Sequence, residues 1–324
     1  MGEKRLSIII PFFNVENYIS DCLDSVFYQD IPFEDYEVIC VNDGSPDRSR
    51  EIVVDYMKRF NNLTLIEHDR NRKLGTARNT GREKAIGKYI WNVDSDDKIV
   101  PNCLGHLLEI CEENDLDVLE FGSIRFSGEK REDMRNVKST GEVVSGLDYL
   151  QSLSALELSA MCPVWRRLVR RGLLDDNRIY SPEINMGEDV PFSFRVLIEA
   201  NRMMVIPDCC YFYRANPDSL TGINWRPMPF TLYEKCFVGA RLISDVAADV
   251  PICYKNVRKS FMETARYTLN LYTVFLPEMS VDNQKQFKAL CKKDFRKNGF
   301  VKELFSKKKY VNYLLWLVGI KSLP

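Results

Sequence analysis

Within the stretch "IWNVDSDDKIV", residues 90–100, three carboxylates fall in four positions: Asp94, Asp96 and Asp97. Like charges this close repel, so water, a helix end or a bound cation must offset them. In an extended segment, residues two apart project the same way, which lets Asp94 and Asp96 converge on one point. A hard divalent cation takes oxygen ligands and commonly bridges one or two carboxylates to a substrate's phosphates. Mg²⁺ or Mn²⁺ would answer the repulsion. The plainer reading is a solvated acidic turn that caps a helix from Pro101.

Two further carboxylate motifs stand out. In "NDGS", Asp43 follows an apolar run and precedes Gly44, where it could cap the helix begun near Pro46. Its functional alternative is to accept the imide N–H of a uracil base. "GEDVPF" sets Glu188 and Asp189 at a helix start, where capping is the simpler account from the residues alone. The alternative is a general base that deprotonates a hydroxyl. "DRNRKLGTARNTGREK" brings Arg70, Arg72, Lys73 and Arg78 close to a helix N-terminus, which favours an anion. The bland reading, a solvated face, suits at least two of the four. "GREKAIGKY" misses the phosphate-loop pattern, with five residues between its glycines and Tyr89 in place of Ser or Thr.

The elements that must position these residues alternate. "LSIII", "EVICVN", "LTLIEH", "YIWNV" and "DVLEF" read as strands. Between them lie helical patterns: Val15 to Phe27 with Asn14 as N-cap, Ile52 to Phe60, "LGTARNTGREKA", and Leu104 to Cys111. Ala77, Gly81 and Ala85 give the third helix a small-residue face for close packing. Such alternation predicts an α/β fold with a mostly parallel sheet flanked by helices. Ligands of such sheets bind beyond the carboxyl ends of the strands. Asp43 and Asp94–Asp97 therefore share one rim. Residues 146–174 read as helical, "MGEDVPFSFRVLIEA" as a loop feeding a helix, and "RMMVIPDCCYFYR" as a strand; beyond Trp225 helices follow up to Phe305.

At 324 residues, 45% apolar and 28% charged, the chain suits a soluble protein of one large domain plus an extension, or two domains. A net charge of −1 argues against nucleic acid as a partner. Ten Lys/Arg against two Asp/Glu between Lys285 and Lys309 leave the remainder at about −9. Ten cysteines without a CxxC pair, and two histidines both before residue 107, make a zinc site improbable. Apolar surroundings for most cysteines, the lack of a signal peptide and the lack of an 18-residue apolar run predict a cytoplasmic protein. The tail "KKKYVNYLLWLVGIK" admits two readings: a helix lying in an anionic membrane interface, with residues 285–324 as the contact, or one docked on the catalytic domain.

Taken in order and spacing, "SIIIPFFNVENYISDCLDSV", "VNDGSPDRS", "NRKLGTARNTG", "YIWNVDSDD" and "GEDVPF" resemble the family 2 glycosyltransferases, inverting enzymes of the GT-A fold, over residues 5 to about 220. The resemblance implies a catalytic domain over 1–222, with a nucleotide-binding part to about 122 and an acceptor part from 123, and a helical region over 223–324. It implies that Pro11 and Phe13 flank the base and that Asp43 pairs with it. Arg78 would lie near ribose or diphosphate, Asp94 at the ribose, Asp96 on the metal and Arg214 on the diphosphate. Asp189 would be the catalytic base, with Glu188 steadying a sugar. The implied donor is a UDP-sugar, the cofactor Mn²⁺ or Mg²⁺, and the acceptor a glycan or lipid-linked glycan of cell-surface polysaccharide. "VWRRL" departs from the family's W-N-K-L-Y segment at Arg166 and Arg167, and no histidine after His106 is present to join a metal. A sugar-nucleotide nucleotidyltransferase would want a glycine-rich basic loop after the first strand, which "PFFNVENY" does not offer. A non-catalytic, membrane-associated scaffold would have no need of Asp94, Asp96 and Asp189.

Overall fold

A computed structural model of the chain describes residues 4–134, 138–153, 157–158, 162–184, 187–216 and 230–273, with positions 282, 285, 286 and 289. The expected tail helix lies outside the described residues. The described part divides into two compact units, Met1–Glu183 with Phe192–Gly222, and Ile184–Pro191 with Ile223–Pro324.

The first unit is built on a mixed sheet. Strand β1 (Leu6–Phe12) is buried at all seven positions, the mark of a strand covered on both faces. It pairs in parallel with β2 (Tyr36–Asn42) on one side and β4 (Tyr89–Asn92) on the other, and β3 (Leu63–Glu67) extends the sheet beyond β2. The crossovers are helices α1 (Ile19–Phe27), α2 (Ser49–Met57) and α3 (Leu74–Lys84). The chain moves outward from β1 to β3 and then returns to add β4 on the opposite side. The switch point thus falls at the carboxyl ends of β1 and β4. Helix α3 sits close to the sheet because Gly81 has no side chain; a Cβ there would collide with Ile9 Cγ2.

Beyond β4 the sheet changes character. After a two-residue β5 (Lys98–Ile99) and α4 (Leu104–Glu113) come β6 (Val118–Ser127) and β7 (Lys130–Asp133), then α5 (Gly146–Ser152), β8 (Arg167–Arg170), α6 (Arg171–Asp176), α7 (Asp189–Glu199) and β9 (Met203–Arg214). The order continues β4-β8-β6-β9-β5, with β7 folded back on β6. Strand β8 runs antiparallel to both β4 and β6. This corrects the expected helix over 146–174. Arg167 faces Glu120 across the sheet at 3.1 Å with neither side chain exposed, so a charged residue occupies an interior strand position. The expected N-cap at Asn14 is also corrected: Asn14 has φ 56° and α1 begins at Ile19.

An aromatic core fixes β9 against β4. Trp165 stacks on Tyr211 with centroids 4.4 Å apart, and Trp91 meets Phe121 edge-on at 5.1 Å. The Trp91 indole donates to the Trp165 carbonyl at 2.8 Å. Truncating Trp91 to Ala should cost about 3–5 kcal/mol. In the second unit, α8 (Phe230–Asp249) packs along α9 (Lys255–Thr273), burying Ala240, Ile243 and Ala247 on one and Val257, Phe261 and Ala265 on the other. Among the described residues, no helix is long and apolar enough to cross a membrane.

Candidate active site

The acidic corner at the end of β4 is held by a different partner for each carboxylate. Asp97 is 1% exposed, and its oxygens accept the Tyr211 hydroxyl at 2.8 Å and the Arg214 backbone N–H at 2.6 Å. Burial, and then the charges of Asp96 and Asp94, push its carboxyl well above the usual range. The same Tyr211 oxygen accepts the Asp94 backbone N–H at 3.1 Å. One phenol therefore ties both ends of the turn to β9.

Asp94 is paired with Arg78, a side chain buried on α3, at 2.9 Å. Asp96 accepts Asn216 Nδ2 at 2.9 Å through one oxygen, and its backbone carbonyl accepts Arg214 Nε at 2.6 Å. The Arg214 guanidinium lies 4.6 Å from the Phe126 ring centroid and 5.2 Å from that of Tyr18, and bonds Asp21 at 2.9 Å. Lys98 reaches the same Asp21 oxygen at 3.1 Å. Two guanidinium groups thus stand beside a group of carboxylates at the switch point, an arrangement able to receive a polyanion. Tyr18, Asp21, Tyr211 and Asn216 escaped the sequence reading. Only the first two follow β1 closely, and the others lie more than 110 residues beyond the acidic run.

Asp43, at the end of β2, is differently engaged. Its carboxylate accepts the backbone N–H groups of Arg72 at 2.7 Å and Lys73 at 2.8 Å, and contacts His68 Nδ1 at 2.7 Å. His68 Nε2 lies 3.0 Å from Thr80 Oγ1, so the ring bridges β3 to α3. Gly44 permits this fold-back: its φ is +74°, and a Cβ would come within 2.9 Å of the Arg70 backbone. Of the four basic residues singled out near α3, Arg70, Arg72 and Lys73 are exposed and Arg78 is buried. Pro11 is buried within β1 and pairs with Val41, while Phe13, just past the strand, is 44% exposed.

Glu188 is buried and Asp189 opens α7; both belong to the second unit. Arg166 and Arg167, the departures from the family segment, are both buried, and Arg167 is committed to Glu120.

Among the described residues, no group of three or more His, Cys, Asp or Glu is arranged to hold a metal. A hard cation that takes one or two carboxylates and completes its shell with phosphate and water does not need such a group. Asp96 fits that role: it is partly exposed and has one oxygen held by Asn216.

The model of glycosyl transferase family 2 matches residues 7–178. EpsJ of Bacillus subtilis, described as an uncharacterized glycosyltransferase, is 38% identical over 224 residues, 68% of this chain and 64% of that protein. A poly(ribitol-phosphate) β-glucosyltransferase of Bacillus spizizenii is 33% identical over 66% of this chain and 33% of its own length. The chain thus spans between a third and about two-thirds of these relatives. Among solved structures, S. aureus TarS 1–349 in complex with UDP-GlcNAc superimposes with a TM-score of 0.71 at 25% identity, over 96% of this chain and 83% of that one.

Proposed function

The chain belongs to glycosyl transferase family 2, and from that premise we propose that it transfers a sugar from a UDP-sugar to a glycan or lipid-linked acceptor with inversion, in cell-surface polysaccharide synthesis. One observation carries the proposal: the acidic corner at the switch point, with Arg78 and Arg214 bonded into it. The similarity to TarS with bound UDP-GlcNAc supports a UDP-sugar as donor.

In this reading Phe13 offers an exposed ring on which the base can stack, and Asp43 borders the base through the loop it organises. Pro11 shapes the strand end beneath. Asp94, aligned by Arg78, faces the ribose. Arg78 and Arg214 stabilise the negative charge that develops on the departing diphosphate. Mn²⁺ or Mg²⁺ held at Asp96 would supply further stabilisation of that charge. Asp189 removes the acceptor's proton on the face opposite the leaving group, with Glu188 steadying a sugar hydroxyl. A single displacement needs no protein nucleophile.

A UDP-release assay with a panel of UDP-sugars tests this directly. The expected result is turnover with one donor, abolished by Asp189→Asn while UDP still raises Tm. Native-rate turnover by the Asn variant removes the base assignment, and no UDP release from any donor removes the activity.

A further inference from the structure

The ring of His68 is placed from both ends. Its backbone N–H donates to the Asn42 carbonyl at 2.9 Å, which continues the β2–β3 ladder one residue past β3 and sets the side chain beside Asp43. Nδ1 meets Asp43 Oδ1 at 2.7 Å, and Nε2 meets Thr80 Oγ1 on α3 at 3.0 Å. The His68 and Asp43 side chains are 4% and 5% exposed, so water has little access to either contact.

The donors on Asp43 are unevenly divided. Oδ1 receives both the Arg72 backbone N–H and the His68 ring. Among the described residues, Oδ2 receives only the Lys73 backbone N–H. Each carboxylate oxygen has about two lone-pair sites, so Oδ1 is filled and one site remains on Oδ2. A carboxylate only accepts, so the proton of this contact belongs to Nδ1. The Thr80 hydroxyl can donate or accept, and it suits Nε2 either way.

Uracil and cytosine present opposite groups at one ring position: uracil N3 bears a hydrogen and donates, whereas cytosine N3 accepts. A single open acceptor in a fixed place pairs with the first and opposes the second. We propose that His68 is a positioning residue for base recognition. By filling Oδ1 and bracing the carboxylate against α3, it leaves Asp43 one acceptor, on Oδ2, and makes the site select a uracil nucleotide over a cytosine one. This rests on the UDP-sugar reading above, with Asp43 as the partner of the base. His68 itself touches no ligand; it acts through Asp43. Without the ring, Oδ1 regains an acceptor and the carboxylate can turn about its soft terminal torsion. The exocyclic amine of cytosine then finds an acceptor, and the discrimination falls.

The test compares the Kd of UDP and of CDP, both with Mn²⁺ present, for the wild type and three variants. His68→Asn places an amide nitrogen near the position of Nδ1, His68→Gln places one near that of Nε2, and His68→Ala supplies neither. The wild type and His68→Asn should prefer UDP by ratios within about threefold of each other, while His68→Gln and His68→Ala lose about fivefold or more of that preference. An unchanged ratio in His68→Ala overturns the proposal even if both nucleotides bind more weakly, since the ring would then be structural only. Equal loss of preference in His68→Asn and His68→Ala also overturns it, because the Nδ1 bond would not carry the effect. If His68→Ala does not fold, His68→Gln is judged by the same criterion. Nitrogen-15 spectra of the wild type, with two histidines to resolve, give an independent check. A His68 ring protonated at Nε2 alone contradicts the donor role and overturns the proposal. A wild type that binds UDP and CDP equally, or neither, removes the base reading and the role of His68 together. One that selects UDP but transfers no sugar removes the activity and leaves the role of His68 standing.

Discussion

Asp43 and Asp96 end neighbouring stretches of the same rim, yet the two carboxylates are employed in opposite ways. Asp43 is almost fully buried and already takes two backbone N–H groups and a histidine ring. A carboxylate has about four lone-pair sites, so Asp43 has room for little more. Asp96 is partly exposed and gives one oxygen to Asn216. Asp43 is thus a staple whose lone pairs the protein has largely filled, whereas Asp96 keeps the capacity that the proposed cation would need. A base contact at Asp43 must use its remaining capacity or displace a donor from the 68–73 loop.

The contrast can be broken by substitution. Asp96→Asn keeps an oxygen for Asn216 but loses the charge, so turnover should fall on the order of 100-fold or more with Tm barely moved. Unchanged turnover would make Asp96 another staple. Asp43→Ala leaves two backbone N–H groups and the His68 ring without their partner and should cost roughly 2–3 kcal/mol, read from urea midpoints. If it is stability-neutral and only weakens UDP binding, the staple reading of Asp43 is wrong. Tyr211→Phe removes the phenol that joins Asp97 to the Asp94 N–H, and about 1–2 kcal/mol should be lost in the same measurement. Arg214→Lys keeps the charge but not the planar fork, so UDP affinity should weaken severalfold.

The half of the sheet before Asp94 was legible because strands buried on both faces must be continuous apolar runs, as "LSIII" and "EVICV" are. Of the strands after it, β6 and β9 were legible as "DVLEF" and "RMMVIPDCCYFYR", whereas β5, β7 and β8 were not. Strand β8 carries Arg167, and its charge makes sense only beside Glu120, 47 residues earlier in the chain. Strand β5 has two residues, too few for any period. Within the candidate site, the acidic run announced itself, whereas Tyr211 and Asn216 read as strand and loop residues. Their roles exist only once β9 has paired with β5. In the sequence His68 is one of only two histidines, and nothing beside it marks it as a partner of Asp43. Its place one residue past β3, on the rim that carries Asp43, was the available signal. Asn79 bonds the Ser181 backbone at 2.9 Å, yet nothing local in the sequence links two residues 102 positions apart.

The most direct measurement is the UDP-induced shift in Tm of the wild type and of Asp96→Asn, each with Mn²⁺ and with chelator. The account predicts a larger shift with Mn²⁺ than with chelator for the wild type, and no such difference for the variant. Equal shifts under both conditions in the wild type would contradict a cation held between Asp96 and a diphosphate.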